Sequence, residues 1–158
     1  MSASGQPAGE TRAARLSRAD FSQFRPVATR WADNDIYGHV NNVICYNWFD
    51  TAVNGWLIDQ GLLDPATSPI IALVVETGCA YFESFSFPEV LEIGLRVERL
   101  GRSSVTYTLG VFRAGSEVAA AQGRFTHVHV DRESRRPVAI PEPARLAMAA
   151  LGHAAASR

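Results

Sequence analysis

Apolar residues follow two different periods along this chain of 158 residues. Over residues 40–61 there is no proline, and apolar side chains recur at spacings of three and four, which predicts an amphipathic helix. The apolar positions are Val40, Ile44, Cys45, Trp48, Phe49, Ala52, Val53, Trp56 and Leu57. This surface is apolar enough to predict a largely buried helix of about six turns. Gly61 marks its expected end.

Segments on both sides of this helix predict strands. Residues 91–98 and 105–111 alternate apolar and polar positions, which is the period of a strand with one buried face. The predicted strands are residues 24–31, 69–82, 91–98, 105–111 and 117–131. Tight turns are expected at residues 100–103 and 114–116, where glycine and serine cluster.

One helix followed by a meander of strands predicts an α+β fold with an antiparallel sheet wrapped on the helix. A sheet covered by a single helix often pairs with a second subunit, so we expect a homodimer. Residues 1–20 are predicted to be a disordered tail and residues 21–142 the folded domain. The Ala-rich residues 143–158 predict a short terminal helix.

Composition and charge exclude several classes of protein. Hydrophobic residues make up 47% of the chain, which is too many for a disordered protein. The net charge of -1 gives no basic patch, so no nucleic-acid partner is expected. No apolar run approaches the ~20 residues of a membrane span. Cys45 and Cys79 do not form a disulfide framework, and free thiols fit a cytoplasmic setting.

The chemistry is expected in residues 29–42, between the first strand and the helix. A helix N-terminus offers unpaired N–H groups that can hold a substrate carbonyl and stabilise an oxyanion. A carboxylate just upstream, Asp33 or Asp35, could serve as nucleophile or as general base. Asp33 also fits a helix cap or turn, and Asn41 and Asn42 fit capping as well as oxyanion binding.

Two further residues of this segment favour a site. Gly38 would let the backbone approach a substrate closely. His39 follows it directly, inside a cluster of carboxylates and amides, and is a candidate for orienting water or substrate. Away from this segment, Arg102, Ser103 and Ser104 form a turn that could also present a guanidinium and two hydroxyls to a phosphate.

Spacing excludes the competing kinds of site. A calcium loop starting at Asp33 would need a glutamate at its twelfth position, which is Ile44. His39 has no neighbouring metal ligand, and His127 with His129 makes at most a two-histidine pair on one strand. The chain has no GxSxG nucleophile elbow, no GxGxxG and no P-loop. No metal and no cofactor are predicted.

The run Arg30-Trp31-Ala32-Asp33-Asn34-Asp35, followed by Gly38-His39-Val40-Asn41-Asn42 and Tyr46, resembles the 4-hydroxybenzoyl-CoA thioesterase family of hotdog-fold proteins. The resemblance extends through the strand pattern to about Pro141. It implies a five-stranded antiparallel sheet around one long helix and an acyl-CoA substrate, with coenzyme A as part of the substrate and not a cofactor. It also implies a homodimer or a dimer of dimers with active sites at subunit interfaces.

The resemblance also implies roles for individual residues. It selects Asp35 as the catalytic carboxylate, and we predict that His39 and Asn42 assist it by orienting water or substrate. The N–H groups near His39 to Asn42 fall where the family polarises the thioester carbonyl, so Gly38, Val40 and Asn41 are predicted to bind the substrate. The turn of Arg102, Ser103 and Ser104 falls where such proteins bind the nucleotide end of the substrate.

Three alternatives stay open at this point. Some relatives place the catalytic carboxylate on the helix, where this chain has Asp50. A non-catalytic acyl-CoA or acyl-carrier binding module on the same fold is a second possibility. An enoyl-CoA hydratase is a third, although the family's hydratases separate aspartate and histidine by four residues, and Asp35 and His39 are separated by three.

Overall fold

The computed structural model describes residues 13–152, and its centre is the long helix α1, Ile44–Asp59. Apolar side chains recur every three or four residues, so one face is continuous and buried. The buried residues are Cys45, Trp48, Phe49, Ala52, Val53, Trp56 and Leu57. The expected stop at Gly61 is confirmed, because Gly61 has φ +70° and the N–H of Leu62 closes the helix on the Leu57 carbonyl at 2.9 Å.

The start of the helix was predicted four residues too early, at Val40. The side chain of Asn41 accepts the N–H of Val43 at 3.2 Å, and the N–H of Ile44 bonds the Asn41 carbonyl at 2.9 Å. These bonds hold residues 41–43 in a tight turn before α1. Asparagine favours such turns because its short side chain competes with the backbone for hydrogen bonds.

Five antiparallel strands form one sheet around α1, which confirms the α+β hotdog fold. The strands are β1 Gln23–Ala28, β2 Ile70–Tyr81, β3 Val90–Leu100, β4 Ser104–Arg113 and β5 Ala121–Asp131. Their order in the sheet is β1-β3-β4-β5-β2. The long strands β3, β4 and β5 therefore lie in the middle, and β1 and β2 are the two edges.

Two strand limits were predicted wrongly. The first strand ends at Ala28, because Trp31–Asp33 turns into a short 3-10 helix closed by Asp33. The last strand starts at Ala121 instead of residue 117. Residues 117–119 instead bond the N-terminal segment, where the N–H of Arg18 donates to Glu117 and the N–H of Ala119 donates to Leu16.

The core lies between α1 and the concave face of the sheet. Leu91, Ile93, Leu95, Val105, Tyr107, Leu109, Val111 and Phe125 face the helix there and are fully or almost fully buried. A second helix, α2 Glu142–Leu151, adds Met148 and Leu151 to this core. It matches the terminal helix predicted in the Ala-rich segment, and residues 153–158 of that prediction lie outside the described residues.

The N-terminal segment covers the convex face of the sheet. Arg18–Asp20 forms a 3-10 turn, and Ser17 makes a bridge to Val118. Phe21 then packs edge-on against Phe112 at a centroid distance of 5.6 Å. The folded part of the chain therefore begins upstream of Phe21, where a tail was expected; residues 1–12 of that predicted tail lie outside the described residues.

The edge strand β2 leaves apolar side chains in contact with solvent. Leu73, Val74 and Val75 are 37%, 44% and 60% exposed. The pairing with β5 is irregular between Val74 and Glu76. Among the described residues, no helix is long and apolar enough to cross a membrane.

Candidate active site

The segment before the cavity is fixed by Asp33. Its carboxylate accepts the backbone N–H of Arg30 at 2.8 Å and the Arg30 guanidinium at 2.7 and 3.0 Å. The Asp33 carbonyl also accepts the N–H of Asn41 at 2.8 Å. Asp33 is buried, and its carboxylate raises the pKa of Arg30 through the side-chain hydrogen bond. Asp33 therefore caps a turn, which is the structural one of its two predicted roles.

The next segment is a narrow loop with Asp35 and His39 at its base. The N–H of Asp35 bonds the His39 carbonyl at 2.8 Å, and the N–H of Gly38 bonds the Asp35 carbonyl at 3.1 Å. The carboxylate Oδ1 of Asp35 accepts the N–H of Tyr37 at 2.8 Å. Gly38 has φ +81°, a left-handed conformation that closes the loop and that glycine adopts without strain.

This loop is tied to the segment that precedes β3. The side chain of Asn34 accepts the N–H of Phe87 at 3.1 Å, and Ser86 Oγ donates to the Gly38 carbonyl at 3.0 Å. The N–H of Val40 bonds the Phe85 carbonyl at 2.8 Å. Contacts on both sides of the loop therefore hold Asp35 and His39 in position relative to β3.

A cavity of about 330 Å³ opens between this loop, the start of α1 and the end of β2. It is lined by Asp35, His39, Val40, Asn42, Cys45, Tyr81, Phe82, Glu83, Ser84 and Phe85. The structure thus brings all three predicted catalytic residues, Asp35, His39 and Asn42, to one cavity. Of the predicted substrate-binding residues, Val40 lines it, whereas Gly38 and Asn41 shape the backbone around it.

Two backbone donors beside the cavity are left unbonded by the fold. The N–H groups of Val40 and Asn41 are used by Phe85 and Asp33, as described above. The N–H groups of His39 and Asn42 make no hydrogen bond within residues 13–152. They can therefore bind an oxygen atom of a ligand, as an oxyanion site requires.

Tyr81 is a cavity residue that the sequence did not single out. Its hydroxyl donates to the Asn42 carbonyl at 2.6 Å and so restrains the residue that also carries one of the free N–H donors. Burial raises the pKa of Tyr81, so the hydroxyl keeps the proton that it donates. No motif marks this residue, because its contact joins positions 39 residues apart in the chain.

Glu83 places a second carboxylate at the cavity, and it too was missed. It is paired with Arg113 at 3.0 Å and also contacts Arg15. Arg113 bonds Glu89 at 2.7 Å as well. Because cations already hold Glu83, Asp35 is the carboxylate of this cavity with the fewest bonds to the fold.

The predicted nucleotide-binding turn lies at the other end of the sheet. Ser103 and Arg102 bond β5 and residue 140 through their carbonyls, and Arg145 of α2 donates to the Arg102 carbonyl at 3.0 Å. The N–H of Thr29 donates to the Glu89 carbonyl, so the segment that leads to Asp35 lies at the start of β3. The turn of Arg102, by contrast, follows the end of β3. The 11 residues of β3 place the two ends roughly 30 Å apart. One protomer therefore does not bring the turn to the cavity.

Asp50 and the histidines of β5 lie elsewhere. Asp50 is exposed on α1, bonds the Asn54 side chain at 2.9 Å, and does not line the cavity. His127 and His129 are both buried. Among residues 13–152 there is no group of three or more His, Cys, Asp or Glu side chains that could hold a metal ion.

Fold and cavity together define a hotdog-type α+β protein with a carboxylate and free backbone donors at one site. Residues 29–148 match the model of the thioesterase-like superfamily, and the chain belongs to that family. This membership supports a thioesterase-type activity. The matched range includes the whole of the Asp35 segment and all the strands after it.

The chain is also similar to individual proteins and solved structures. The crystal structure of the PA5185 protein of Pseudomonas aeruginosa is 54% identical, covers 90% of this chain and 99% of its own, and has a TM-score of 0.87. Slr0204 of Synechocystis, a 1,4-dihydroxy-2-naphthoyl-CoA thioesterase, has the same fold at 18% identity and a TM-score of 0.73, over 82% of this chain and 97% of its own. The YsmA protein of Bacillus subtilis is 25% identical over 77% of this chain and 81% of its own.

Proposed function

We propose that this protein hydrolyses an acyl-CoA to a free acid and coenzyme A. The observation that carries the proposal is the cavity in which the Asp35 carboxylate lies together with the free N–H groups of His39 and Asn42. A carboxylate and oxyanion donors beside one cavity are what thioester hydrolysis needs. Binding alone has no use for a negative charge beside a carbonyl.

The chemistry follows from these groups. The thioester carbonyl oxygen accepts hydrogen bonds from the free N–H groups, which polarises the carbonyl carbon. Asp35 then either attacks that carbon or removes a proton from the attacking water, and its Oδ2 carries no hydrogen bond within the described residues. The donors stabilise the negative oxygen that forms, and the C–S bond then breaks, so that coenzyme A leaves as a thiolate and takes a proton. If Asp35 is the nucleophile, a water molecule then hydrolyses the acyl–Asp35 anhydride and releases the free acid. His39 orients the water from the rim of the cavity.

The active unit in this proposal is a homodimer that pairs β2 with its copy. The other edge, β1, has six residues and contains Pro26, which lacks an N–H donor. β2 has 12 residues and exposes Leu73, Val74 and Val75. An antiparallel strand that pairs with its own copy satisfies both edges around one twofold axis.

This pairing also gives the predicted nucleotide-binding turn a place in the site. A twofold axis that crosses β2 reverses the strand direction of the second copy relative to the first. Arg102, Ser103 and Ser104 of the partner subunit then lie at the end of the sheet where Asp35 lies. The long coenzyme A part of the substrate would reach that turn, where a guanidinium and two hydroxyls suit a phosphate.

A non-catalytic binding module remains the alternative, and one contact favours it. The Asp35 Oδ1 is bound to Tyr37 within the loop, as a purely structural carboxylate would be. A panel of acyl-CoAs with aromatic and aliphatic acyl groups, together with an acyl-carrier thioester, separates the two. Thiol release at a saturating rate supports hydrolysis, whereas tight binding by calorimetry without thiol release contradicts it. Addition of water to an enoyl-CoA without thiol release would show a hydratase.

The dimer has its own test. Val75→Asp places a charge on the β2 edge and is expected to give a monomer in sedimentation analysis, with a raised KM for acyl-CoA. Leu146→Asp is the matched control, since Leu146 is 63% exposed and lies on α2 instead of β2. A dimer that survives Val75→Asp and Val74→Asp would contradict pairing through β2.

A further inference from the structure

The side chain of Ser86 reaches the active-site loop from the segment that precedes β3. Its hydroxyl donates to the Gly38 carbonyl at 3.0 Å, the nearer of two acceptors, since the Phe87 carbonyl lies at 3.4 Å. The Gly38 carbonyl and the N–H of His39 belong to one trans peptide group, in which the two point in opposite directions. The hydroxyl of Ser86 therefore fixes the direction of the His39 N–H, one of the two free donors beside the cavity.

The other free donor is held in a different way. The N–H of Asn42 shares its peptide group with the Asn41 carbonyl, which accepts the N–H of Ile44 at 2.9 Å. This bond lies inside the turn that leads into α1 and needs no residue from another part of the chain. The two donors thus depend on separate supports, so a change at Ser86 should affect His39 and not Asn42.

We propose that Ser86 is a positioning residue of the active site, which aims the N–H of His39 at the carbonyl oxygen of the thioester. Its effect on the rate rests on the proposed thioesterase function, whereas the orientation of the peptide group does not.

The local turn leaves the Ser86 hydroxyl available for this contact. Ser86-Phe87-Pro88-Glu89 has the spacing of a capping box, in which the serine hydroxyl and the glutamate carboxylate each bond the other's backbone N–H. Only half of that pattern is present. The Glu89 carboxylate accepts the N–H of Ser86 at 2.7 Å, but the N–H of Glu89 donates to the Ser86 carbonyl at 3.0 Å. The hydroxyl is therefore directed to Gly38 instead.

Arg113 of β4 holds this turn through Glu89. Its Nε donates to the Glu89 carboxylate at 2.7 Å, and its other two nitrogens donate to the Glu83 carboxylate and the Ser84 carbonyl. Burial opposes ionisation of Glu89, but the hydrogen bonds from Arg113 and from the Ser86 N–H lower its pKa overall. Charged Glu89 thus links a guanidinium on the sheet to the backbone of Ser86.

A misdirected donor should affect the transition state more than substrate binding. The thioester oxygen carries its full negative charge only after attack, so an oxyanion donor acts mainly on kcat. Loss of one such donor lowers kcat about 10²–10³-fold. In Ser86→Ala the His39 N–H remains but is no longer aimed, so we expect kcat to fall roughly 10–10²-fold with little change in KM.

The kinetic experiment measures thiol release from acyl-CoA by Ser86→Ala and by a matched control. Ser116→Ala is the control, because the Ser116 hydroxyl donates to the Val118 carbonyl at 3.1 Å in a loop that does not line the cavity. This control should keep kcat and KM close to the wild-type values. Ser86→Thr retains a hydroxyl at the same position and should recover most of the lost kcat.

Amide spectra examine the peptide group without any substrate. In ¹H–¹⁵N spectra of the full chain, Ser86→Ala should shift the His39 amide resonance and leave the Asn42 resonance near its wild-type position. Glu89→Gln keeps the hydroxyl and weakens its support by Arg113, so it should shift the His39 resonance by less. Glu89→Gln also supplies the test if Ser86→Ala does not fold, and an unmoved His39 resonance in it then overturns the proposal.

The contrary results differ in what they exclude. A His39 resonance that Ser86→Ala leaves unmoved overturns the proposal, as does a kcat equal to that of Ser116→Ala. A raised KM at unchanged kcat overturns it too, because that pattern marks a loss of substrate binding and not of a transition-state donor. Absence of thiol release in the wild type counts against the proposed thioesterase instead, since the amide spectra need no substrate.

Discussion

The carboxylates of two neighbouring loops, Asp33 and Asp35, differ in how many hydrogen bonds they make to the fold. Asp33 is buried and accepts three hydrogen bonds from Arg30, so its oxygens are occupied by the fold. Asp35, two residues later, lines a cavity and gives one oxygen to the N–H of Tyr37. The difference shows that a polar cluster in sequence divides into groups that build the loop and groups left for a ligand.

His39 and His127 show a similar contrast between a group at the cavity and a group buried in the fold. His39 stands exposed at the rim of the cavity, whereas His127 is buried among the aromatic side chains of Phe125 and Tyr107. Burial lowers the pKa of His127 to about 4, so it is neutral at pH 7. His127 therefore belongs with Asp33 as part of the fold.

The largest expected effect is on catalysis. Asp35→Asn keeps the shape of the side chain and removes its charge, so thiol release from acyl-CoA should fall about 10²–10⁴-fold. The matched change Asp33→Asn should leave the turnover of the folded protein within a few-fold of the wild type. Near-full turnover in Asp35→Asn would show that the two carboxylates do not differ as proposed.

The next effect is on stability as a function of pH. The unfolded chain protonates His127 near pH 6.5 and the folded chain only near pH 4, so stability is present above pH 6.5 and is lost as the pH falls to about 4. The loss amounts to about 3 kcal/mol in the free energy of unfolding. In urea unfolding measured across this pH range, His127→Phe should flatten the dependence of stability on pH. If the free energy of unfolding of His127→Phe depended on pH as steeply as that of the wild type, burial of His127 would not be the cause of the acid loss.

A smaller effect is expected for the capping carboxylate itself. Asp33→Ala leaves the backbone N–H of Arg30 without its partner and should lower the free energy of unfolding by about 1–2 kcal/mol. Arg30 is mostly exposed, so the loss of its charge pair adds little. Asp35→Ala removes one bond in an open loop and should cost less than half as much. Denaturant midpoints of the two variants check the ranking, and equal midpoints would contradict it.

The smallest effect separates loop conformation from loop function. Gly38→Ala and Gly115→Ala both place a side chain at positive φ, +81° and +75°, with open space around it. Each should cost about 1 kcal/mol of stability. Only Gly38→Ala should also lower kcat/KM, because its loop carries Asp35 and His39. Equal kinetics for the two variants would show that the loop tolerates the strain without moving these residues.

Much of the fold could be predicted from the sequence, because periodicity records burial. The apolar spacing of α1 and the alternation in β3 and β4 correspond to one buried face each, and both elements are confirmed. The limits of elements were less predictable. The start of α1 depends on a bond from the Asn41 side chain, and the start of β5 depends on contacts with residues about 100 positions earlier.

The candidate site was predictable only where its residues are close in sequence. The loop residues Asp35, His39 and Asn42 could be named from one segment, and the structure places them at one cavity. Tyr81 and Glu83 could not, since they reach the cavity through the fold of β2 and the segment after it. The turn at Arg102 could be named as a phosphate binder, but its distance from Asp35 appears only in three dimensions.

The contacts of the N-terminal segment determine when it can fold during synthesis. The guanidinium of Arg15 bonds the Ala119 carbonyl, and the N–H of Leu16 bonds the side chain of Gln122, which are 104 and 106 residues further along the chain. At a synthesis rate of about 5–20 residues per second, roughly 5–20 s separate the making of Arg15 from that of its partner. During most of that interval Phe112 has not yet been made, so Phe21 lacks the ring against which it packs. Residues 15–21 are thus made early, and they can pair only after Phe112, Ala119 and Gln122 have been made.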